Sequence, residues 1–249
     1  MRSRRPLPPF ARPSGRPFAG RRAPAALGLG AVIATGTLAL GPTEVGAVAG
    51  AAVGAAPCRT PGEFPDETLD AWQTREFAGS TEYALVDEDG RRTLEASTDG
   101  AASILYRERE VDVGATPVLA WSWKVDGVFA DIDERTRDGD DYPARVYVVV
   151  KTGFLPWQTL ALNYVWSSNQ PEGSSWPSPF TDKARMIAVR SGGAAAGAWA
   201  CERRDVAADF EAAFGISVER IDGYAIMVDG DNGARRASAR FGALGFGPG

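Results

Sequence analysis

Short segments of alternating polar and apolar residues, separated by turn residues, make up most of the chain after Trp72. Such alternation is typical of β-strands, because successive side chains of a strand point to opposite faces of the sheet. Asp89-Gly90 lies between the first two segments, and Asp-Gly favours the tight turn of a hairpin. The segments are TEYALVD (81–87), RRTLEAS (91–97), AASILYR (101–107), PVLAWSWKV (117–125), ARVYVVVK (144–151), TLALNYVWS (159–167), ARMIAVRS (184–191), AWACERR (198–204), GYAIMVD (223–229) and ASARFGALGF (237–246). Ten strands at this spacing predict an all-β, antiparallel sandwich or barrel.

The segment at residues 144–151 indicates which side chains face the core. Val146, Val148 and Val150 share one face of the predicted strand. Arg145 and Tyr147 lie on the opposite face, because side-chain direction alternates along a strand. We therefore expect the valine face to be buried and the other face to be available for polar contacts.

One short helix is predicted after the eighth strand. Asp205 is a favourable N-cap, and Gly215 is a favourable C-terminal residue. Between them, Val206, Phe210 and Phe214 share one face at helical spacing. The helix is expected to cap the sandwich rather than to carry function.

The first 57 residues have the layout of an export signal. They hold seven arginines and one acidic residue, and an uncharged Ala/Gly-rich run begins at Ala23. Small residues near 47–56 predict cleavage between Ala47 and Ala56. A single domain over residues 58–249 would then be periplasmic or extracellular, and Arg21-Arg22 leaves open a twin-arginine signal. The alternative is a retained membrane anchor, since about 20 uncharged residues could span a bilayer.

The charge of the chain excludes one class of partner. The sequence has 27 basic and 32 acidic residues, and seven of the basic residues lie in the leader. The part after the leader is therefore strongly acidic, whereas proteins that follow a nucleic-acid backbone need the opposite sign. We expect no nucleic acid among the partners.

Cys58 and Cys201 are the two cysteines of the sequence, and both lie after the predicted cleavage site. In an oxidising compartment two cysteines usually form one disulfide. The sequence therefore predicts a Cys58–Cys201 bond, with two buried thiols as the alternative.

The chain contains no histidine. This excludes Ser-His-Asp and Cys-His nucleophiles and histidine-ligated zinc. The segment DGDN begins like a calcium loop through Asp229 and Asp231, but the twelfth position is Arg240, where such a loop requires Glu. We expect no cofactor and no metal, and calcium held by residues from separate loops is the alternative.

Six polar residues stand inside or beside otherwise apolar strands: Asp141, Arg145, Asn163, Arg190, Glu202 and Asp229. Polar residues within strands are usually solvent-facing. The alternative is that all six converge on one side of the larger sheet as a ligand-binding site, rimmed by the long loops 126–143 and 167–183. Both interpretations are open from sequence, and the second defines the predicted site.

Tryptophan positions divide into two groups. Trp121 and Trp123 alternate with polar residues on one strand and are expected in the core. Trp157 and Trp176 fall in predicted loops, where they could stack on a ligand or be buried beneath the loop.

Several motifs occur together in a specific order: WSWKV (121–125), GDDYPARVYVV (139–149), NYVW (163–166), VRSG (189–192), ERRDV (202–206), GYAIMVDGDN (223–232) and a closing FG (241–242). Their order over residues 70–247 resembles the bacterial family called domain of unknown function 3047. That family has no established activity to carry over. Its strand order is similar to jelly-roll sandwiches of the galactose-binding-like and lectin-like types, which implies a jelly roll here.

Two functions are compatible with the sequence. The first is an exported, non-catalytic domain that binds a glycan or a cell-envelope component through the polar face and the loop tryptophans. The second is a carbohydrate-active enzyme, a glycoside hydrolase or lyase, in which Glu202 and Asp229 act as an acid–base pair across a cleft. Absence of a recognisable catalytic motif favours the first.

Overall fold

The structure is a computed structural model that describes residues 62–153 and 158–249. Within these ranges the chain forms twelve β-strands, one α-helix and one 3-10 helix. The predicted leader, Cys58 and Trp157 lie outside the described residues, so export and cleavage remain predictions.

The strands are β1 (Gln73–Ala78), β2 (Glu82–Glu88), β3 (Arg91–Asp99), β4 (Ala102–Asp112), β5 (Val118–Val125), β6 (Ala144–Lys151), β7 (Thr159–Ser167), β8 (Ser175–Ser178), β9 (Thr181–Ser191), β10 (Ala200–Asp205), β11 (Arg220–Asp229) and β12 (Arg236–Gly247). Helix α1 spans Val206–Phe214, and the 3-10 helix spans Arg137–Gly139. A seven-stranded sheet has the order β1-β4-β11-β6-β7-β9-β8, and a five-stranded sheet has the order β10-β5-β12-β3-β2. The predicted all-β jelly-roll sandwich with one short helix is confirmed.

Two features of the strands differ from the prediction. The short strands β1 and β8 lie at the two edges of the seven-stranded sheet and were not predicted; Pro177 within β8 is tolerated because edge strands need fewer ladder bonds. The pair β7–β9 is parallel. After β7 the chain reverses direction into β8 and reverses again into β9, so β9 runs in the same direction as β7. Strand β9 lies between β7 and β8 in the sheet.

The core lies between the two sheets. Trp123 is fully buried, and its ring centroid lies 5.4 Å from that of Trp121, 5.8 Å from Trp166 and 6.4 Å from Phe241. Large aromatic rings from both sheets therefore interdigitate at the centre of the sandwich. The prediction that Trp121 and Trp123 are core residues is confirmed.

Helix α1 begins and ends at the predicted residues. The side chain of Asp205 accepts a hydrogen bond from the Ala208 N–H at 2.9 Å. Gly215 adopts a left-handed conformation, φ 68°, and its N–H donates to the Glu211 carbonyl at 2.8 Å. Phe210 is buried against the core, so the helix closes one end of the sandwich.

The turn between β2 and β3 also follows the prediction. Asp89 and Gly90 both have positive φ, 55° and 75°, which is the backbone twist that a two-residue hairpin requires. Among the described residues, no helix is both long and apolar enough to cross a membrane.

The described start of the chain lies close to Cys201. Gly62 lies against Ala243. Its carbonyl oxygen and the hydroxyl oxygen of Ser122 would each be 2.4 Å from a Cβ built at Gly242, so Gly62 also lies near Ser122. Ser122 pairs directly with Cys201. Cys58 precedes Gly62 by four residues, a distance of at most about 14 Å in an extended chain. This placement supports the predicted disulfide, which stays a prediction because Cys58 is not described.

We expect peptide mapping, under non-reducing conditions, of protein recovered from its native host to find a Cys58–Cys201 linked pair. A bond that closes so long a loop would stabilise the fold by roughly 4–5 kcal/mol, so reduction should lower the Tm. Complete alkylation of both thiols in unreduced protein would contradict the prediction.

Candidate functional site

The outer face of the seven-stranded sheet, which points away from the five-stranded sheet, is defined by strand parity. Val146, Val148 and Val150 pack into the core between the sheets. Tyr147 and Val149 lie on the outer face in a separate apolar cluster. The predicted division of this strand into a core face and a second face is therefore confirmed.

One row of side chains crosses this outer face from edge to edge. Register places each member opposite the next on the neighbouring strand. In sheet order the members are Gln73, Tyr106, Ala225, Tyr147, Asn163, Met186 and Trp176. We call this set the cross-strand row. It joins residues from all seven strands, and it brings the predicted residues Asn163 and Trp176 into one line.

Three aromatic rings stand in the cross-strand row. Tyr106 and Tyr147 are two strands apart, about 10 Å, and Trp176 is three strands further, about 14 Å. Tyr106 donates a hydrogen bond to Oε1 of Gln73 at 3.0 Å, and Tyr147 donates to Sδ of Met227 at 3.3 Å. Burial raises the pKa of Tyr106, so its hydroxyl is neutral at physiological pH. The row thus combines flat apolar surfaces with neutral hydrogen-bonding groups.

Small residues lie between the two tyrosines. Ala225 separates them in the row, and Gly223 is the next outward position along β11. A Cβ at Gly223 would lie 2.8 Å from the Arg107 carbonyl oxygen, so the close approach of β4 requires glycine here. Ala225 is fully buried and packs in the same apolar cluster as Tyr106, with Tyr147 packed against that cluster.

Trp176 differs in position from the prediction. It lies in the edge strand β8 rather than in a loop, and it is 4% exposed. The guanidinium of Arg135, from the loop between β5 and β6, lies 5.8 Å from its ring centroid. The ring is thus covered on one side by a loop residue. Trp157, the other predicted stacking residue, lies outside the described residues.

A buried ion pair lies at one end of the same face. Arg145 on β6 binds both carboxylate oxygens of Asp229 on β11, with Nε–Oδ1 at 2.7 Å. The same guanidinium donates to the Asp140 carbonyl at 2.6 Å and lies 4.2 Å from the ring centroid of Tyr142. Burial lowers the pKa of Arg145, but the charge of Asp229 and its neighbours outweighs this and holds the pKa well above the usual value. Arg145 is therefore a permanent cation that fixes the loop to the sheet.

Asp141 anchors a second loop. Its Oδ1 accepts a hydrogen bond from the Asn232 N–H at 3.0 Å, and its Oδ2 accepts one from the Gly233 N–H at 2.8 Å. These contacts hold the turn between β11 and β12 against the loop that precedes β6. Asp141 thus acts as an acceptor for backbone donors.

Glu134 connects a third loop to this end of the sheet. Its side chain is fully buried and accepts hydrogen bonds from the Ser167 hydroxyl and from the Ser168 N–H. Burial raises the pKa of Glu134, and the two donors and the charge of Arg145 offset part of this effect. Glu134 was not predicted as a site residue, because nothing in the local sequence distinguishes it from the other acidic residues of its loop.

Carboxylate oxygens of Asp141, Asp229 and Asp231 all lie within 4.8 Å of one another. Two of these residues, Asp229 and Asp231, are the sequence-based alternative for calcium. In this structure Arg145 and the backbone N–H groups already bind Asp229 and Asp141. Calcium binding stays an untested prediction.

Arg190 and Glu202 do not belong to the outer face, so the predicted convergence of six residues is wrong. Nε of Arg190 donates to Oε1 of Glu202 at 2.6 Å, and Nε1 of the core residue Trp123 donates to the same oxygen at 3.1 Å. A bulge between Val165 and Trp166 shifts the register of β9 and places Arg190 opposite Trp166, whose side chain faces the core.

Glu202 lies on β10 in the five-stranded sheet and shares the face of Ala200, which packs in the core. Burial raises the pKa of Glu202, and Arg190 offsets part of this rise. Asp229 projects from the outer face of the other sheet and is bound by Arg145. The two carboxylates of the predicted acid–base pair therefore do not face one cleft, and each has its own arginine partner.

Five members of the row were not predicted as site residues: Gln73, Tyr106, Ala225, Tyr147 and Met186. The sequence did contain a signal for Tyr106. At the centre of segment 101–107, residues that point to opposite faces of the strand are both apolar, as in Ile104 and Leu105, which indicates a strand covered on both faces. Gln73 carried no such signal, since its position depends on the pairing of β1 with β4.

A family model described as "Protein of unknown function (DUF3047)" matches residues 70–245. No curated protein matches the chain. Similar solved structures include a carbohydrate-binding module, TmCBM61, in complex with β-1,4-galactotriose, at 12% identity over 76% of this chain and 92% of that chain, with a TM-score of 0.35. A non-crystalline cellulose specific module, CBM28, has 14% identity over 76% and 94%, with a TM-score of 0.40.

The xyloglucanase domain of NopAA from Sinorhizobium fredii, in complex with cellobiose, has 7% identity over 76% of this chain and 98% of that chain, with a TM-score of 0.39. At these scores the similarities carry no inference about the ligand of this chain.

The substitution Arg145→Ala should lower the Tm strongly, because it leaves the buried carboxylate of Asp229 without its cation. Breaking a buried pair in this way destabilises by about 3–5 kcal/mol, and each kcal/mol corresponds to roughly 2–4 °C in a domain of this size. Arg236→Ala is the matched control, since the Arg236–Asp99 pair is exposed and should contribute little. Equal Tm values for the two variants would show that the buried pair has no structural role.

The pKa of Glu134 predicts the direction of one pH effect. Because the folded-state pKa is raised, the contribution of Glu134 to stability is greatest below its unfolded pKa and is lost as pH rises through the folded pKa. Thermal unfolding of wild type and Glu134→Gln between pH 4 and pH 8 should therefore show wild type losing stability relative to the variant as pH rises. A Tm difference that is constant, or that changes in the opposite direction, would refute this assignment.

Proposed function

The chain belongs to the DUF3047 family, and for this member we propose an exported, non-catalytic domain that binds a glycan along the cross-strand row. The observation that carries the proposal is the row itself. It sets three aromatic rings and two carboxamides in one line across seven strands. A cell-envelope polysaccharide is the class of ligand that an exported protein of this kind would meet.

The chemistry of the row suits a sugar chain. The C–H faces of a sugar ring are apolar and stack on flat aromatic side chains such as Tyr147, which is half-buried. Sugar hydroxyls need both donors and acceptors, and the Gln73 and Asn163 carboxamides supply both. An apolar surface with a few polar groups is the usual composition of a small-molecule site.

The charged groups beside the row support binding rather than catalysis. Asp229 is paired with Arg145, and Glu202 is bound by Arg190 and Trp123 on another part of the sandwich. A glycosidase of either type needs two carboxylates on opposite sides of one bond. No observation on these residues favours the enzyme alternative.

Tyr147→Ala should weaken binding to the preferred glycan roughly tenfold, because loss of a stacking ring removes about 1.4 kcal/mol or more. The measurement is affinity electrophoresis of the domain in gels containing xyloglucan, β-1,4-galactan or hydroxyethyl cellulose. Solution titration with cellobiose and β-1,4-galactotriose would supply the dissociation constants.

The matched control is Trp199→Ala, which removes an aromatic ring that lies outside the row, next to Lys124 of the five-stranded sheet. It should leave migration in the glycan gels unchanged. If wild type migrates as freely with every polysaccharide as without it, or if Trp199→Ala weakens binding while Tyr147→Ala does not, the proposal is wrong.

A further inference from the structure

Asn163 occupies an unusual position in the cross-strand row. It lies on β7 between Tyr147 of β6 and Met186 of β9, and its side chain is 2% exposed. The residues before and after it on the same outward face of β7 are Ala161 and Val165. A carboxamide is thus enclosed by mostly apolar neighbours in the middle of the face.

The carboxamide oxygen of Asn163 is not satisfied by the protein. Within the described part of the chain, its Oδ1 is buried and has no hydrogen-bond donor. By contrast, both oxygens of Asp141 and of Glu134 accept hydrogen bonds at the end of the same face. A buried acceptor without a partner destabilises a fold, and nearly all such groups in native proteins are paired.

An apolar residue of similar size would avoid this cost. Leucine has the same number of side-chain heavy atoms as asparagine, with the same branch at Cγ, and the neighbours Met186 and Val165 are apolar. The packing of the sheet therefore gives no reason for an amide at this position. A bound ligand that donates a hydrogen bond to the amide oxygen would explain why asparagine occupies this position.

We infer that Asn163 is the specificity-determining residue of the glycan site, and that its Oδ1 accepts a hydrogen bond from a hydroxyl group of the bound sugar. This inference rests on the proposed function. The ligand class is a neutral carbohydrate whose hydroxyl reaches the row between Tyr147 and Met186. A site that relies on a buried polar group rejects ligands lacking the matching donor far more strongly than an apolar site does.

Contact with Oδ1 requires a small rearrangement of its neighbours. Met186 is unbranched and has three rotatable side-chain bonds, so it adapts its shape readily. Tyr147 directs its hydroxyl toward Met227 on β11, which is the side away from Asn163. The side-chain flexibility of Met186, which pairs with Asn163 on the neighbouring strand, would let a sugar hydroxyl reach the amide, either directly or through one water molecule.

Asn163→Leu tests this assignment, with Val165→Ile as the matched control, which changes packing at the next outward position of β7, outside the cross-strand row, without removing a polar group. Each variant is compared with wild type by thermal unfolding and by affinity electrophoresis with xyloglucan, β-1,4-galactan and hydroxyethyl cellulose. We expect Asn163→Leu to bind roughly tenfold more weakly while its Tm is unchanged or raised. Val165→Ile should keep most of the binding.

The outcomes separate this inference from the proposed function. If wild type binds and Asn163→Leu binds equally well, the assignment of Asn163 is overturned while the glycan site stands. A Tm drop for Asn163→Leu larger than that of Val165→Ile would show that the amide is structural, and would also overturn it. If wild type is retarded by none of the polysaccharides, the proposed function fails and this inference fails with it.

Discussion

The seven-stranded sheet is covered by apolar side chains on both of its faces. Its inner face packs on the five-stranded sheet through rings such as Trp166 and Tyr164. Its outer face carries a second cluster that includes Ile104, Val149 and Met227. A sheet of this kind needs no polar residue on either face for stability, so each polar group that it holds in an apolar row requires its own explanation.

The buried charged residues on the outer side of this sheet lie together at one end. Among the described residues, Glu134, Asp140, Asp141 and Asp229 are buried there with a single buried guanidinium, that of Arg145. Backbone N–H groups and hydroxyls, rather than further cations, bind Glu134 and Asp141. These contacts fix three loops at the end of the outer face and leave the cross-strand row at its centre free of ion pairs.

Local sequence was sufficient for features that depend on neighbouring residues. The valine alternation of β6, the Asp89-Gly90 hairpin and the capped helix after Asp205 all follow from rules within a few positions of the chain. Features that depend on distant pairing could not be obtained in the same way. The row joins Gln73 to Tyr106 and Tyr106 to Ala225, and no local pattern specifies those registers. A single bulge in β9 was enough to move Arg190 to the other face.

Under the proposed function, the ligand lies across the outer face of the seven-stranded sheet. The most direct test is an NMR titration of the isotope-labelled domain with the oligosaccharide of the glycan that it binds most tightly. We predict that the backbone amide signals which shift are those of the strands that carry Tyr106, Ala225, Tyr147 and Asn163. Shifts confined to the five-stranded sheet, around the surface groove between Ala120, Arg203 and Phe246, would contradict the account.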